Sequence, residues 1–290
     1  MTYVQPPFNH DLLCFRSATH PELEIEPFCH ADIARKRNVG LLLARLCGWR
    51  TIMYLDDDIR DLTASAISAA ADLTDHYQAV GFEIGHFPDN SVICHAHRLA
   101  GGKQDIFLGG SALVIDVMQA DTLFPPIYNE DWLFLFDAVR IGSVAVGGTL
   151  SQLEYQPFAN SGRAASEEFG DLVAEGLYRL IHERADVAEA GYGYWRDALA
   201  RRSWLIDDVA QRLLRMDGDG SVVEDALMSL AAARKRLSAI SALACVSFIR
   251  AWRMDLDAWR QKLRQLPRME TFLEAIRFLD LPASDECVVG

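Results

Sequence analysis

The sequence predicts an α/β protein, a mixed sheet flanked by helices with a helical C-terminal region. Three observations carry this. Short apolar runs alternate with helix-period stretches through roughly the first 150 residues, the pattern of strands and helices packed in layers. From Ser166 onward the apolar period is helical almost throughout. The chain of 290 residues is 50% hydrophobic and 24% charged, enough to bury a sizeable core. That balance excludes a disordered tail, a collagen-like fibre and a small disulfide scaffold. The expected division is an α/β domain over 1–165 and a helical region over 166–290.

Leu12–Phe15 and Glu24–Phe28 read as short strands. Asp32–Cys47 reads as a helix with Ile33, Val39, Leu42, Leu43 and Leu46 near one face and Gly48 as its stop. Thr51–Leu55 is a compact apolar strand that ends abruptly in Asp56-Asp57-Asp58. Thr63–Gln78, rich in Ala and Ser, reads as a helix. Ala79–Phe87, Val92–His95 and Phe107–Ile115 read as strands, the last containing Gly109-Gly110. Asp131–Ile141 is helical, and Val144–Val146 is a short strand before Gly147-Gly148. The later helices are expected to break near Gly191–Gly193, Asp217–Gly220 and Pro267. Residues 222–250 read as the strongest of them, followed by a helix over 252–280.

The formal charge of −13 is unevenly placed. Residues 1–195 carry 13 basic against 27 acidic side chains, and residues 196–290 carry 15 against 14. A chain this acidic is a poor general binder of nucleic-acid backbone. It is compatible with holding a metal cation. The six cysteines form no CxxC pair, which argues against a disulfide framework and for a reducing compartment. No basic–apolar–small leader pattern opens the chain and no apolar run spans a bilayer, so the expected location is cytoplasmic.

The segment richest in chemistry is Arg37-Asn38-Val39-Gly40, then the rest of its helix, then the strand running into Asp56-Asp57-Asp58. Open α/β sheets place ligand-binding groups at strand ends. Carboxylates two apart there suit Mg²⁺ or Mn²⁺, which in turn grip a diphosphate. The competing reading of the same aspartates is a helix N-terminus. Further on come Phe107-Leu108-Gly109-Gly110-Ser111 and, about twenty residues later, Asn129-Glu130-Asp131-Trp132.

These three segments, in this order and spacing over residues 30–150, resemble the nucleotide-sugar-binding half of GT-A-fold glycosyltransferases of the family-2-like group, whose sheet is Rossmann-like. The resemblance implies a sugar transferase using a nucleoside-diphosphate sugar, a small-molecule or glycan acceptor, and Mg²⁺ or Mn²⁺. It implies Asp56 and Asp58 at the metal. It places Arg37, Asn38, Asp56, Asp57, Gly109 and Gly110 at the nucleotide-sugar, the glycines towards the acceptor side. It makes Asp131 the general base, or the residue that orients the acceptor if configuration is retained, with Glu130 beside it as the second candidate. The departure is at the start. Only 36 residues precede Arg37, whereas such enzymes carry a further strand–helix unit that cups the base. Three explanations stay open: a truncated start, a naturally short family, or a site completed by another subunit or by the C-terminal helices. The alternatives are a non-catalytic binding or assembly subunit of the same fold and a metal-dependent nucleotidyltransferase.

Other motifs read more plainly. Asp217-Gly218-Asp219-Gly220-Ser221 begins like a calcium loop but has Val222 and Met228 where Gly and Glu are required. It is expected to be a turn with Ser221 capping the next helix. His95 and His97 would share one side of a strand without a third metal ligand. Glu167, Glu168 and Asp171 read as a solvated helical turn, with Arg163 before them in reach of a phosphate. Trp132, Trp195 and Trp204 read as core or as a sugar-lining wall, and Arg234-Lys235-Arg236 as a solvated face.

Overall fold

A computed structural model describes residues 10–23, 31–85, 87, 90–103, 108–216 and 220–282. The Glu24–Phe28 strand and most of the Asp217–Gly220 turn lie outside these residues. Three short 3₁₀ turns (Asp11–Leu13, Ser17–Thr19, Pro21–Leu23) stand at the start, where a strand over Leu12–Phe15 was expected. The reason is local. The His10 ring accepts the Leu12 N–H and closes the first turn, and Asp255 accepts the N–H groups of Arg16 and Ser17 at 2.8 Å each.

Helix α1 (Ala31–Cys47) leads through Gly48 into strand β1 (Thr51–Leu55). Strand β2 (Ile59–Arg60) follows after three residues, then α2 (Ala64–Leu73). Thr63 caps α2 by accepting the Ala66 N–H, and the helix stops five residues before the expected Gln78. There the Thr74 hydroxyl bonds the Ala71 carbonyl at 2.6 Å and the chain turns towards strand β3 (Ala79–Ile84).

Val92–His95 is not a strand. It lies in helix α3 (Val92–Leu99). Ser91 supplies its N-cap, and Glu167, 75 residues away, accepts the Val92 N–H at 2.7 Å. A carboxylate at the positive end of a helix favours this state over the extended one.

Strand β4 (Ala112–Asp116), helix α4 (Glu130–Arg140) and strand β5 (Val144–Gln152) complete the α/β layer. The sheet runs β1-β4-β3-β5-β2, with β3 and β5 parallel and the other neighbours antiparallel. This bears out a mixed α/β sheet flanked by helices. Alternation along β4 sends Ala112 and Val114 to one face, against Ala70 of α2, and Leu113 and Ile115 to the main core. Strand β1 forms one edge.

The edge strands β1 and β2 stand at opposite ends of this order yet are joined by only Asp56–Asp58. The far half of β5 must therefore bend back towards the end of β1. Gly147 and Gly148 make that bend, so β5 continues through them where a stop was expected. Gly81 faces Val146 and Glu83 faces Thr149, leaving one extra residue on β5, a bulge. Gly148 has φ +134°, and a Cβ on Gly147 would stand 3.1 Å from the Phe82 ring. Gly148→Ala is expected to cost about 1–3 kcal/mol, read as a lower urea midpoint. An unchanged midpoint would show that the bend tolerates a side chain.

The C-terminal region is α5 (Ser161–Glu183), α6 (Tyr192–Leu213), α7 (Gly220–Ala239), α8 (Ala242–Gln265) and α9 (Phe272–Phe278). The expected single helix over 222–250 is two helices meeting at 81°, because Ser241 accepts the Ala244 N–H and starts α8. Helix α7 itself begins at Gly220, so Ser221 lies inside it. The apolar core runs without a break from Leu13 through α1, β4 and α4 to Leu281. The expected boundary near 165 thus falls inside α5, within one core. No single helix among the described residues is long and apolar enough to cross a membrane.

One charged segment expected to be solvated is buried, and so is one residue of a second, Arg234-Lys235-Arg236, whose Lys235 stays exposed. Glu167, Glu168 and Asp171 are 1%, 0% and 4% exposed. Helix α6 lies alongside and inserts Arg202, which donates to both Glu168 oxygens at 2.8 and 3.0 Å and also pairs with Asp171 and Glu175. Arg236 is likewise buried and pairs with Glu22 at 2.8 Å.

Candidate functional site

A cleft of about 1120 Å³ opens between the end of β1, the start of α4 and helices α5 and α6. Arg37, Asp56, Gly109, Glu130 and Asp131 stand in its wall. Asp57 and Asp58 line a neighbouring groove of similar volume along the free edge of β1. Arg37, Asp56 and Arg163 belong to both.

Arg37 is the hub. Helix α1 is tied to β1 by the Tyr54 hydroxyl, which donates to the Arg37 carbonyl at 2.9 Å. The guanidinium donates to Glu130 at 2.6 Å and to both Asp56 oxygens at 3.3 and 3.4 Å. Burial works against its charge, but Glu130, Asp131 and Asp56 outweigh it and raise its pKa. Burial pushes Asp56 upward against the opposing pull of Arg37, and Asp58 and Asp131 add to the rise. Burial pushes Glu130 up to about 8, again with Arg37 opposing. The site therefore gathers three carboxyl groups around one guanidinium, in a place where charge is poorly solvated.

Gly110 explains how Arg37 gets there. A Cβ at Gly110 would stand 2.1 Å from the Arg37 Nη1. Its N–H also donates to Asp131 Oδ2, while Trp132 N–H donates to Asp131 Oδ1 at 2.8 Å. The Asp131 carboxylate is thus aimed by two backbone donors. The chain reaches Asp131 through Asn129, which takes a left-handed φ of 60° and donates its amide to Asp171 at 2.8 Å. Glu130 and Asp131 then open α4, where the helix dipole favours carboxylates.

Asn38 is elsewhere. Its amide donates to the Phe124 carbonyl at 2.8 Å and accepts the Phe124 N–H at 2.9 Å, and the residue is 1% exposed. It pins a loop and does not face the cleft. Asp57 is exposed, and its carbonyl accepts from Arg60. Asp58 accepts from Gln152 Nε2 at 2.7 Å, and its other oxygen is buried without a hydrogen-bond partner among the described residues.

Among the described residues no group of three or more His, Cys, Asp or Glu side chains converges as a metal cluster. A diphosphate-bound Mg²⁺ or Mn²⁺ does not need one, since one or two carboxylates with phosphate and water complete its shell. The orphaned Asp58 oxygen fits that requirement. Asp56 is committed to Arg37.

Trp132 stands in the cleft wall against Tyr178, Trp195 is core, and Trp204 is exposed. His95 has both ring nitrogens engaged by its neighbours. One ring nitrogen meets the Tyr155 hydroxyl at 3.0 Å, the other meets Arg98 at 3.1 Å, and burial pushes its pKa down to about 3. Arg163 reaches both clefts but is held by Glu167 at 2.6 Å and lies over the Tyr155 ring. Sequence reasoning missed Gln152, the last residue of β5, which belongs to no motif.

Comparison with protein-family models, curated proteins and solved structures finds no match to this chain.

Proposed function

We propose that the chain transfers a sugar from a nucleoside-diphosphate donor to an acceptor hydroxyl, with Mg²⁺ or Mn²⁺ at the diphosphate. The observation that carries this reading is one cleft that gathers Arg37, Asp56, Glu130 and Asp131. These come from segments up to 94 residues apart, at the C-terminal end of a strand. Asp58, in the adjoining groove, would hold the cation, which when bound stabilises the negative charge of a departing diphosphate. Arg37 and Glu130 hold each other and fix Asp56 at the wall. Asp131, aimed by the Gly110 and Trp132 N–H groups, receives the acceptor proton. The groove along β1 would take the nucleoside, with Trp49, Tyr54 and Phe272 among its walls.

The test is donor hydrolysis and transfer across a nucleotide-sugar panel with Mn²⁺, wild type against Asp58→Ala. Release of a nucleoside diphosphate that Asp58→Ala abolishes is the expected result. Release of pyrophosphate would instead mark nucleotidyl transfer, and equal rates in both proteins would remove Asp58 from the mechanism. Thermal shift with UDP, GDP, CDP and dTDP plus Mn²⁺ adds an activity-free readout. A ligand at one hundred times its Kd stabilises by about 2.7 kcal/mol. No shift with any nucleotide would favour a non-catalytic subunit.

A further inference from the structure

Gln152, at the end of β5, is 7% exposed, and its Oε1 is buried with no hydrogen-bond partner among the described residues. Its position is set by the backbone. Ile59 of β2 pairs with Gln152, and the Leu153 N–H donates to the Asp58 carbonyl at 3.0 Å. This brings Gln152 Nε2 to Asp58 Oδ2 at 2.7 Å. The amide cannot be reversed, because Oε1 would then press on a carboxylate oxygen with two acceptors in contact. Asp58 Oδ1 is also buried without a partner. Two joined side chains, both lining the β1 groove, thus each hold a buried oxygen with no donor among the described residues. No Lys or Arg forms an ion pair with Asp58 among the described residues, and Arg37 is engaged by Asp56 and Glu130. Buried acceptors are normally satisfied. A hard divalent cation satisfies a carboxylate oxygen and an amide oxygen together.

We propose that Gln152 ligates, through Oε1, the divalent cation that Asp58 holds. The protein's share of the coordination shell is then one carboxylate and one neutral amide, and diphosphate and water supply the rest. The proposal rests on the donor-binding reading above. It adds a ligand outside the aspartate run and makes the cation bind weakly alone and tightly with a nucleoside diphosphate.

The experiment measures Mn²⁺ affinity by electron paramagnetic resonance of free Mn²⁺, alone and with each of UDP, GDP, CDP and dTDP. Wild type is compared with Gln152→Ala, Gln152→Glu and Asp58→Asn, and circular dichroism confirms folding of each. Gln152→Ala is expected to weaken Mn²⁺ binding at least tenfold. Gln152→Glu separates ligation from mere positioning. A glutamine that only donates to Asp58 would, as glutamate, repel it and weaken Mn²⁺ binding, whereas a ligand would, as glutamate, tighten it above wild type. Weakening by Gln152→Glu overturns the proposal. So does wild-type affinity in Gln152→Ala. If Asp58→Asn alone loses Mn²⁺, the proposal fails and the donor reading stands. If wild type binds no Mn²⁺ with any nucleotide, the proposal fails, and the transfer assay decides the reading separately.

Discussion

Arg202→Ala is expected to destabilise the protein by about 3–5 kcal/mol, the usual loss when one partner of a buried ion pair is removed. Arg202 is 1% exposed in its side chain and is held by Glu168 at 0%, Asp171 at 5% and Glu175. Removing the guanidinium leaves Glu168 and Asp171 in the core without this cation. Burial already pushes Glu168 up to about 7 despite Arg202, so in the variant it rises further. An acid whose folded pKa exceeds its unfolded value binds extra protons in the folded state. Stability then falls as pH rises from the unfolded value, about 4.3, through the folded one. The variant's deficit is therefore larger at pH 8 than at pH 5. Urea unfolding of both proteins at the two pH values checks this. A loss independent of pH would mean that packing of the side chain, and not its charge, carries the effect. The double variant Arg202→Met with Glu168→Gln should recover part of the loss.

On the proposed function, Asp131→Asn is expected to lower sugar transfer about 10²–10⁴-fold, the usual worth of a positioned general base. The shape is nearly conserved. However, an amide has one acceptor where the carboxylate takes both the Gly110 and the Trp132 N–H, so a small stability cost accompanies the loss. Glu130→Gln is the control. It keeps a hydrogen-bonding oxygen for Arg37, which meets the Glu130 carboxyl at 2.6 Å, but can neither ionise nor exchange a proton there. A modest fall in rate is expected there. Full turnover in Asp131→Asn with abolition in Glu130→Gln would reverse the assignment of the base.

Much of the site was legible in the sequence because its signals are local. The β1 run and the aspartates that end it, the α1 period and the Glu-Asp start of α4 all show within one element. The structure places Arg37, Asp56, Glu130 and Asp131 in one cleft wall. Asn38 shared the same motif, yet its side chain is spent on Phe124. Nothing in the four-residue motif tells which way two adjacent helical side chains point. Helix α3 was misread because an apolar run of strand length took its state from Glu167. The buried Glu167-Glu168-Asp171 stretch was misread for the same kind of reason, since Arg202 arrives from 34 residues further on.

By itself the sequence determined the class of the protein: a layered α/β part, a helical part, and a strand that delivers aspartates to its end. Period, capping and strand termination act over one turn or one strand, so they can be read in order along the chain. The tertiary structure alone decided which charges are buried and what each aspartate faces. Asp58 meets Gln152 across 94 residues only because a glycine bulge bends β5 back over the sheet. The energy of a buried charge depends on whether a partner arrives, and that partner is set by packing between elements distant in sequence.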